Sequence, residues 1–358
     1  MIKRFIECKL PYYHCNLKCD YCYVIQENNR NREESGFIYS VSDIKAATAK
    51  ERFEGMCFFS ICAAGETLAP PETIPIAKAL LENGHFVNIT NNGTMIDRIK
   101  ELCELPKELR RRLLLSFSFH YLELEKFSLT NTFFENVDAV KSAAISFFIQ
   151  MNLYDGYIPY IENIKRICKE RAGAYPQCLV TRRRTREGYA FHSNLPADEY
   201  MEFGRQFCSP LFTFTADNFM KRQKGFCYAG DWSFSLDLGS GVMKRCYLFD
   251  KGQDVFRNPY ESIRLHAVGS HCPSAYCMNA SHFISQGVIP DAGVPSYARC
   301  RDRPEAGWFN DTARELLNGK LYKSNHMYSQ SKKFFINAMG YLDIKNEIKR
   351  AAILLPRV

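Results

Sequence analysis

The sequence predicts an α/β fold of repeated βα units, followed by a smaller α+β region that carries a β-hairpin. Two observations predict the first part. Short apolar runs of strand length alternate with runs at helical spacing over about 180 residues. Turn and capping residues separate them. A third observation predicts the second part: beyond Pro196 the βα rhythm stops, and polar and apolar residues alternate about Gly239-Ser240-Gly241. Repeated βα units imply a parallel sheet with ligands at the C-terminal ends of its strands. Periodicity alone leaves a barrel and an open doubly wound sheet as alternatives.

The first expected strand is the apolar run 4–13. Residues 27–34 are polar and aperiodic, a loop. Ser42 offers an N-cap for a helix over 43–53. A strand over 56–62 precedes a helix over 70–81, whose prolines stand in the first turn, where a missing N–H costs little. A strand over 85–90 ends at the turn Asn91-Asn92-Gly93. Further units follow: helix 95–102 and strand 113–119, helix 131–142 and strand 143–152, helix 158–172 and strand 177–181. A helix over 197–207 opens the second region. Helical spacing returns over 311–317 and 334–354.

The chain has 358 residues, enough for one large domain or two moderate ones, with 46% hydrophobic and 24% charged residues, an ordinary globular composition. It has no basic-then-apolar start of a secretory signal and no run of the roughly 18–20 apolar residues that a membrane span needs. Fifteen cysteines in such a chain point to metal ligation in a reducing cytoplasm rather than to disulfides. The net charge of +8 suits an anionic partner, and Arg182-Arg183-Arg184 with Arg186 is the densest basic run. On its own such a run reads as a solvated face. No nucleic-acid-binding module is recognisable.

The cysteines fall into two fields. Cys15, Cys19 and Cys22 form C-x3-C-x2-C directly behind the first strand. Thiolates are the soft donors that iron–sulfur clusters select, and three on one loop can hold three corners of a cube, leaving one iron open. Zinc sites prefer paired C-x2-C arms with a second pair at a distance. The second field comprises Cys208, Cys227, Cys246, Cys272, Cys277 and Cys300. Zinc on four thiols is an alternative there, since tetrahedral S4 suits either metal. Cys8, Cys57, Cys62, Cys103, Cys168 and Cys178 fall in expected strands or helices and read as buried thiols.

The triplet, with Tyr21 in the aromatic slot, resembles the cluster motif of the radical S-adenosylmethionine (SAM) enzymes. The resemblance implies a partial (β/α)6 TIM-like barrel and a [4Fe–4S] cluster on Cys15, Cys19 and Cys22 whose open iron takes SAM. It also implies reductive cleavage of SAM and hydrogen abstraction from a substrate C–H bond, with a reductant such as flavodoxin or ferredoxin. Tyr21 would lie near the adenine. Ala64-Gly65-Glu66-Thr67 resembles the family's Gly-Gly-Glu stretch, with Ala64 in place of the first glycine, so Gly65 and Glu66 would meet the SAM amino group. Ser118 fits the serine of a Ser-x-Asp pattern near the ribose, with His120 in place of the acid. Asn152 is a further candidate SAM contact.

Cys227, Gly241 and Cys246 resemble the opening of the SPASM and twitch auxiliary-cluster regions. With Cys272 and Cys277 they imply one auxiliary [4Fe–4S] cluster, and Cys208 and Cys300 remain as candidate ligands of a second or degenerate site. The chain then divides into a core over 1–205, an auxiliary region over 206–305 and a helical segment over 306–358. In sulfatase-maturing relatives an acid follows the hairpin's second cysteine. Here that residue is Tyr247, whose ordinary pKa near ~10 makes it a poor base. Asp231, Asp250 and His120 are the other candidate catalytic groups. The resemblance favours oxidation or cross-linking of a peptide, with the auxiliary cluster as electron acceptor. Starting at the core's first strand, the chain is expected to have no leader-recognition domain before it. Radical dehydrogenation or rearrangement of a sugar or aminocyclitol is the alternative, and a non-catalytic metal-binding scaffold is a third reading.

Overall fold

A computed structural model describes residues 1–185, 188–274, 276–277 and 280–339. The first strand, β1 (Arg4–Lys9), is buried except at Lys9 and is shorter than the apolar run suggests. Pro11 follows, and a proline has no N–H to donate to a ladder. Beyond the cysteine loop come α1 (Tyr23–Gln26) and α2 (Val41–Ala47). The cap of α2 is Ser40 rather than Ser42: its hydroxyl accepts from Asp43 N while the Asp43 carboxylate answers Ser40 N, a reciprocal box that satisfies two orphan donors.

The βα units then run β2 (Cys57–Cys62), α3 (Thr73–Glu82), β3 (Phe86–Asn91), α4 (Ile96–Cys103) and the short α5 (Lys107–Arg110). They continue with β4 (Leu113–Ser118), α6 (Tyr121–Lys126), α7 (Thr130–Ser142), β5 (Ser146–Leu153), α8 (Ile161–Ala172) and β6 (Gln177–Val180). These six strands pair in parallel and in sequence order. Helices cover the outside, so the strands read as continuous buried runs rather than alternating ones. The result is a partial TIM-like barrel, the member of the two sequence alternatives that the resemblance implied.

A separate antiparallel hairpin, β7 (Arg182–Thr185) and β8 (Gly188–Phe191), follows β6; sequence periodicity did not indicate it. Then come α9 (Ala197–Arg205) and α10 (Pro210–Asp217), the latter packed on β6. The expected hairpin is present as β9 (Ser233–Asp237) and β10 (Val242–Lys244), extended by β11 (Gly252–Asp254). It is not an isolated sheet. β9 pairs in parallel with β1, with Phe5 opposite Ser233 and Lys9 opposite Asp237, giving one nine-stranded sheet of order β11-β10-β9-β1-β2-β3-β4-β5-β6. The C-terminal part contributes α11 (Tyr297–Arg301), α12 (Asp311–Asn318) and α13 (Leu321–Ser324), with 330–339 helical. The rest of the helix expected over 334–354 lies outside the described residues.

The end of the barrel remote from the cysteine loop is closed by Arg4, which is 2% exposed. Its guanidinium donates to the carbonyls of Asp231 (3.0 Å) and Phe53 and to Glu54 Oε2 (2.7 Å). A buried cation so satisfied ties the turns before β2 and β9 to β1. Nearby, buried His85 accepts from Cys57 N at Nδ1 (3.0 Å), which leaves Nε2 as the donor to Thr48 O (2.7 Å). No helix among the described residues is long and apolar enough to cross a membrane.

Burial pushes the pKa of His85 down to about 4. Unfolded histidine binds its proton below about 6.5. Between these values the unfolded chain holds more protons, so stability rises with pH across that window and falls as pH drops through it. Urea unfolding at pH values across the window is expected to show this slope, and His85→Leu is expected to flatten it.

Candidate active site at the mouth of the barrel

The cysteine triplet lies on the loop that leaves β1, at the barrel mouth. Its backbone is held from three directions. Glu123 Oε2 accepts from Lys18 N (2.8 Å). Arg30 donates to the carbonyls of Cys15 (3.1 Å) and Leu17, so the polar loop over 27–34 clasps the triplet. The turn after β2 supplies the third support: Gly65 N donates to Tyr12 O (3.1 Å) and Glu66 N to His14 O (2.8 Å). A Cβ at position 65 would stand 1.9 Å from His14 O, so only glycine permits this approach.

Burial raises the pKa of Cys19 to about 12, and the neighbouring Cys15 and Cys22 raise it further in the same direction. A bound cationic iron would offset the cost of a thiolate on this buried loop. The donor set therefore fits a thiolate-bound cluster. Asn92 Nδ2 approaches Cys15 Sγ at 3.8 Å and also donates to Asn16 Oδ1 at 2.7 Å.

Around this loop stand the other residues singled out in the sequence. Buried Glu66 accepts from Leu68 N (3.0 Å) and Asn92 N (2.9 Å). Burial lifts its pKa to about 7 against these two bonds. The Tyr21 hydroxyl is bonded to both His120 Nδ1 and Tyr157 OH, each at 2.7 Å. His120 is thus a support for Tyr21, held neutral because burial pushes its pKa down to about 4. Ser118 Oγ accepts from Gln150 Nε2 (3.3 Å), and Asn152 faces the barrel cavity.

The second field also converges. Burial raises the Cys227 pKa well above its ordinary value, and Cys277, Cys246 and Cys272 all add to the rise, so the four thiols share one neighbourhood. They arrive from separate segments. Cys227 is bridged to Gly269 by two backbone hydrogen bonds (3.1 and 2.9 Å). Cys246 follows β10, and Cys277 N donates to Lys221 O (3.4 Å). Cys300 packs in an apolar group with Leu211, Phe214, Ile284 and Ile289, against which Cys227 and Cys277 also pack. Cys208 is exposed, its carbonyl accepting from Arg303 (3.1 Å). Among the described residues, no three His, Cys, Asp or Glu side chains converge as they would on a single ion. A tetrahedral zinc needs its sulfurs about 2.3 Å from one point, whereas a cluster takes each thiolate on a different iron.

One cavity of about 860 Å³ is lined by Tyr21 of the triplet loop and Asn152 and by Tyr247 and Cys277 of the second region. Between them lies Glu7 of β1, also on the cavity wall and 8% exposed. The His282 ring nitrogen Nδ1 stands 3.5 Å from its Oε2. The Tyr247 phenol, stacked on Phe283, has its pKa raised well above the ordinary value by burial first and then by the Glu7 charge. Tyr247 is therefore a donor to that carboxylate and not a base. Asp250 faces the same cavity. Asp231 requires correction: it sits at the opposite end of the barrel, bonded to Tyr328 OH and 3.7 Å from the Arg4 guanidinium, and so cannot meet a substrate at the mouth. Glu7 escaped the sequence reading because an acid inside an apolar strand looks like an interruption of pattern. The available signal was its place two residues from Phe5 and Lys9, on the β1 face that carries the charge of Lys9 to the mouth.

Residues 10–167 match the family model described as the Radical SAM superfamily. The matched stretch runs from the end of the first strand through the first half of α8. In fold the chain is similar to SuiB of Streptococcus suis, at TM-score 0.51 and 14% identity over 72% of this chain and 64% of that one. The same figures hold for SuiB bound to the precursor peptide SuiA. It is also similar to anSMEcpe with bound AdoMet, at TM-score 0.50 and 19% identity over 72% of this chain and 80% of that one. No curated protein matches the sequence.

Gly65→Ala is expected to force the turn after β2 off the cysteine loop, at a cost of about 1–3 kcal/mol. Thermal unfolding of the metal-free protein would register it as a lowered midpoint, while Ala64→Gly leaves the midpoint near that of the parent.

Proposed function

We propose that the protein is a radical SAM enzyme that oxidises or cross-links a peptide. The observation that carries the reading is a cavity of about 860 Å³ lined by Tyr21 of the triplet loop, by Cys277 of the second thiol field and by the Glu7 carboxylate. Cys15, Cys19 and Cys22 would hold a SAM-binding [4Fe–4S] cluster, and Cys227, Cys246, Cys272 and Cys277 an auxiliary one. With both bound, the site would supply hydrogen-atom abstraction from an unactivated C–H bond, releasing methionine and 5'-deoxyadenosine, and an acceptor for a second electron.

The chain's own residues account for the rest. Tyr21, Gly65, Glu66, Ser118 and Asn152 would surround SAM, with Tyr21 inside the triplet and the backbone of Gly65 and Glu66 bonded to the same loop. Glu7 faces the space where substrate must lie. Net two-electron oxidation of a C–H carbon bearing O–H, N–H or S–H removes one hydrogen atom, one further electron and one proton. Glu7 is placed to receive that proton, and Tyr247 and His282 orient its carboxylate. Peptide is preferred over sugar because SuiB, a structural neighbour, has been captured with a precursor peptide. The functional division into 1–205, 206–305 and 306–358 stands as part of this proposal, although β9 builds the second region onto the first through the sheet.

Protein reconstituted without oxygen is expected to hold about eight irons per chain and to form 5'-deoxyadenosine from SAM and dithionite. Triple replacement of Cys15, Cys19 and Cys22 by alanine should remove about four irons and all deoxyadenosine. Zinc bound stoichiometrically in place of iron, with no deoxyadenosine formed, would overturn the reading. A second expectation concerns Glu7→Gln. Iron content and deoxyadenosine formation should persist, while conversion of peptide to oxidised product falls about 10²-fold or more.

A further inference from the structure

The hairpin β7–β8 brings together charges that are far apart in sequence. Arg182, Arg183 and Arg184 are all exposed. Phe191 at the end of β8 stacks on Phe219, with centroids 4.6 Å apart and planes within 24°. That stack sets the hairpin beside the segment Lys221-Arg222-Gln223-Lys224, whose three basic side chains are also exposed. The segment is pinned to the cavity region at two points. Gln223 Nε2 donates to Asn218 Oδ1 (3.0 Å), and Lys221 O accepts from Cys277 N (3.4 Å).

The hairpin is anchored at both cysteine fields. Arg184 pairs with Glu27 (3.5 Å) behind the triplet, and Tyr189 meets Tyr276 (6.2 Å) beside Cys277. Arg182 lies over the Tyr189 ring at 4.8 Å and lines the cavity, so the basic rim continues into it. Of the six basic side chains, only Arg184 has a carboxylate partner among the described residues; Asp217, at the end of α10, pairs with none of them. Lys9 and Lys244 add cations to the cavity wall, where Glu7, Asp237 and Asp250 supply carboxylates, so the single-sign charge lies on the exposed rim outside it. A solvated face would intersperse both signs, and gathering one sign at a cavity mouth sets up an attractive field for an anion. Among the described residues neither β7 nor β8 pairs with a third strand, so backbone donors and acceptors accompany the charge. Extended peptide is the ligand that uses both.

We infer that this rim, Arg182 to Arg184 with Lys221, Arg222 and Lys224, docks an acidic peptide segment and leads the substrate into the cavity. The inference rests on the peptide reading above and adds the charge class of the substrate. Single-stranded RNA would answer the charge but not the strand edges, and is an outcome of the test.

The test uses the cluster-reconstituted full chain and a short fluorescein-labelled peptide of alternating Glu and Gly, followed by fluorescence anisotropy. Binding is expected to weaken steeply with salt, and the Gln counterpart should bind about tenfold more weakly or worse. Combined Arg183→Glu, Lys221→Glu and Arg222→Glu should cost at least about tenfold, while Lys107→Glu with Arg111→Glu, at the opposite end of the barrel, changes little. Circular dichroism and iron content on the same variants verify that the fold is kept. Affinity of the triple variant within about twofold of the parent would overturn the docking site, as would tighter binding of an oligouridine than of the acidic peptide. Deoxyadenosine formation is read on the same samples. Deoxyadenosine without peptide binding sinks the docking site alone, and peptide binding without deoxyadenosine upholds it while the enzyme reading fails.

Discussion

The parallel pairing of β9 with β1 is the constraint on which the site depends. Without it the second cysteine field would be an appendage tethered by α9 and α10. With it, Ser235 stands opposite Glu7 and Asp237 opposite Lys9, and β10 and Cys246 follow at fixed distance. Parallel neighbours need a long crossover between them, and here everything from the β1 loop to Trp232 serves as that crossover. The strand that launches the triplet is therefore the strand against which the second field is aligned. Tyr21 of the triplet loop and Cys277 of the second field, more than two hundred residues apart in sequence, line one cavity because both segments are built onto one sheet.

The two ends of the barrel divide the work. At one end Arg4 satisfies carbonyls and a carboxylate in a buried position, and Asp231 belongs to that closure. At the other end the backbone of Gly65 and Glu66 is laid directly on the cysteine loop, and Glu66 spends both carboxylate oxygens on backbone N–H groups. The loop is thus held by main-chain contacts that do not involve its thiols. That arrangement keeps ligand side chains available while fixing the chain that carries them.

Much of this was legible in the sequence. The six parallel strands follow from period and turn chemistry, and the triplet announces itself by spacing. What was not legible has identifiable causes. The hairpin's partner strand could not be read, because strand pairing across two hundred residues leaves no local pattern. The β7–β8 hairpin was hidden by its charge, since four arginine-rich residues with no apolar face look like coil. Asp231 was a candidate as an acid near Tyr247, yet the turn before β9 delivers it to Arg4 and Tyr328 at the closed end of the barrel. Glu7 was overlooked for the converse reason: its neighbours in sequence are core, and its neighbours in space come from the π-helical turn at 280–284 and from Tyr247.

A β-strand places successive side chains on alternate faces, so β1 is a graduated rod as well as a structural member. It is clamped on both sides, by β2 and by β9, with Glu7 opposite Ser60 and Ser235. A slip of one residue would turn Glu7 out of the cavity and bring Ile6 or Cys8 in, and would drag the cysteine loop along by about 3.3 Å at the same stroke. Glu7 and the thiols are therefore mechanically coupled through one short segment. Added residues between Lys9 and Cys15 would disturb only the thiols, whereas an added residue within β1 would dislocate both functions together.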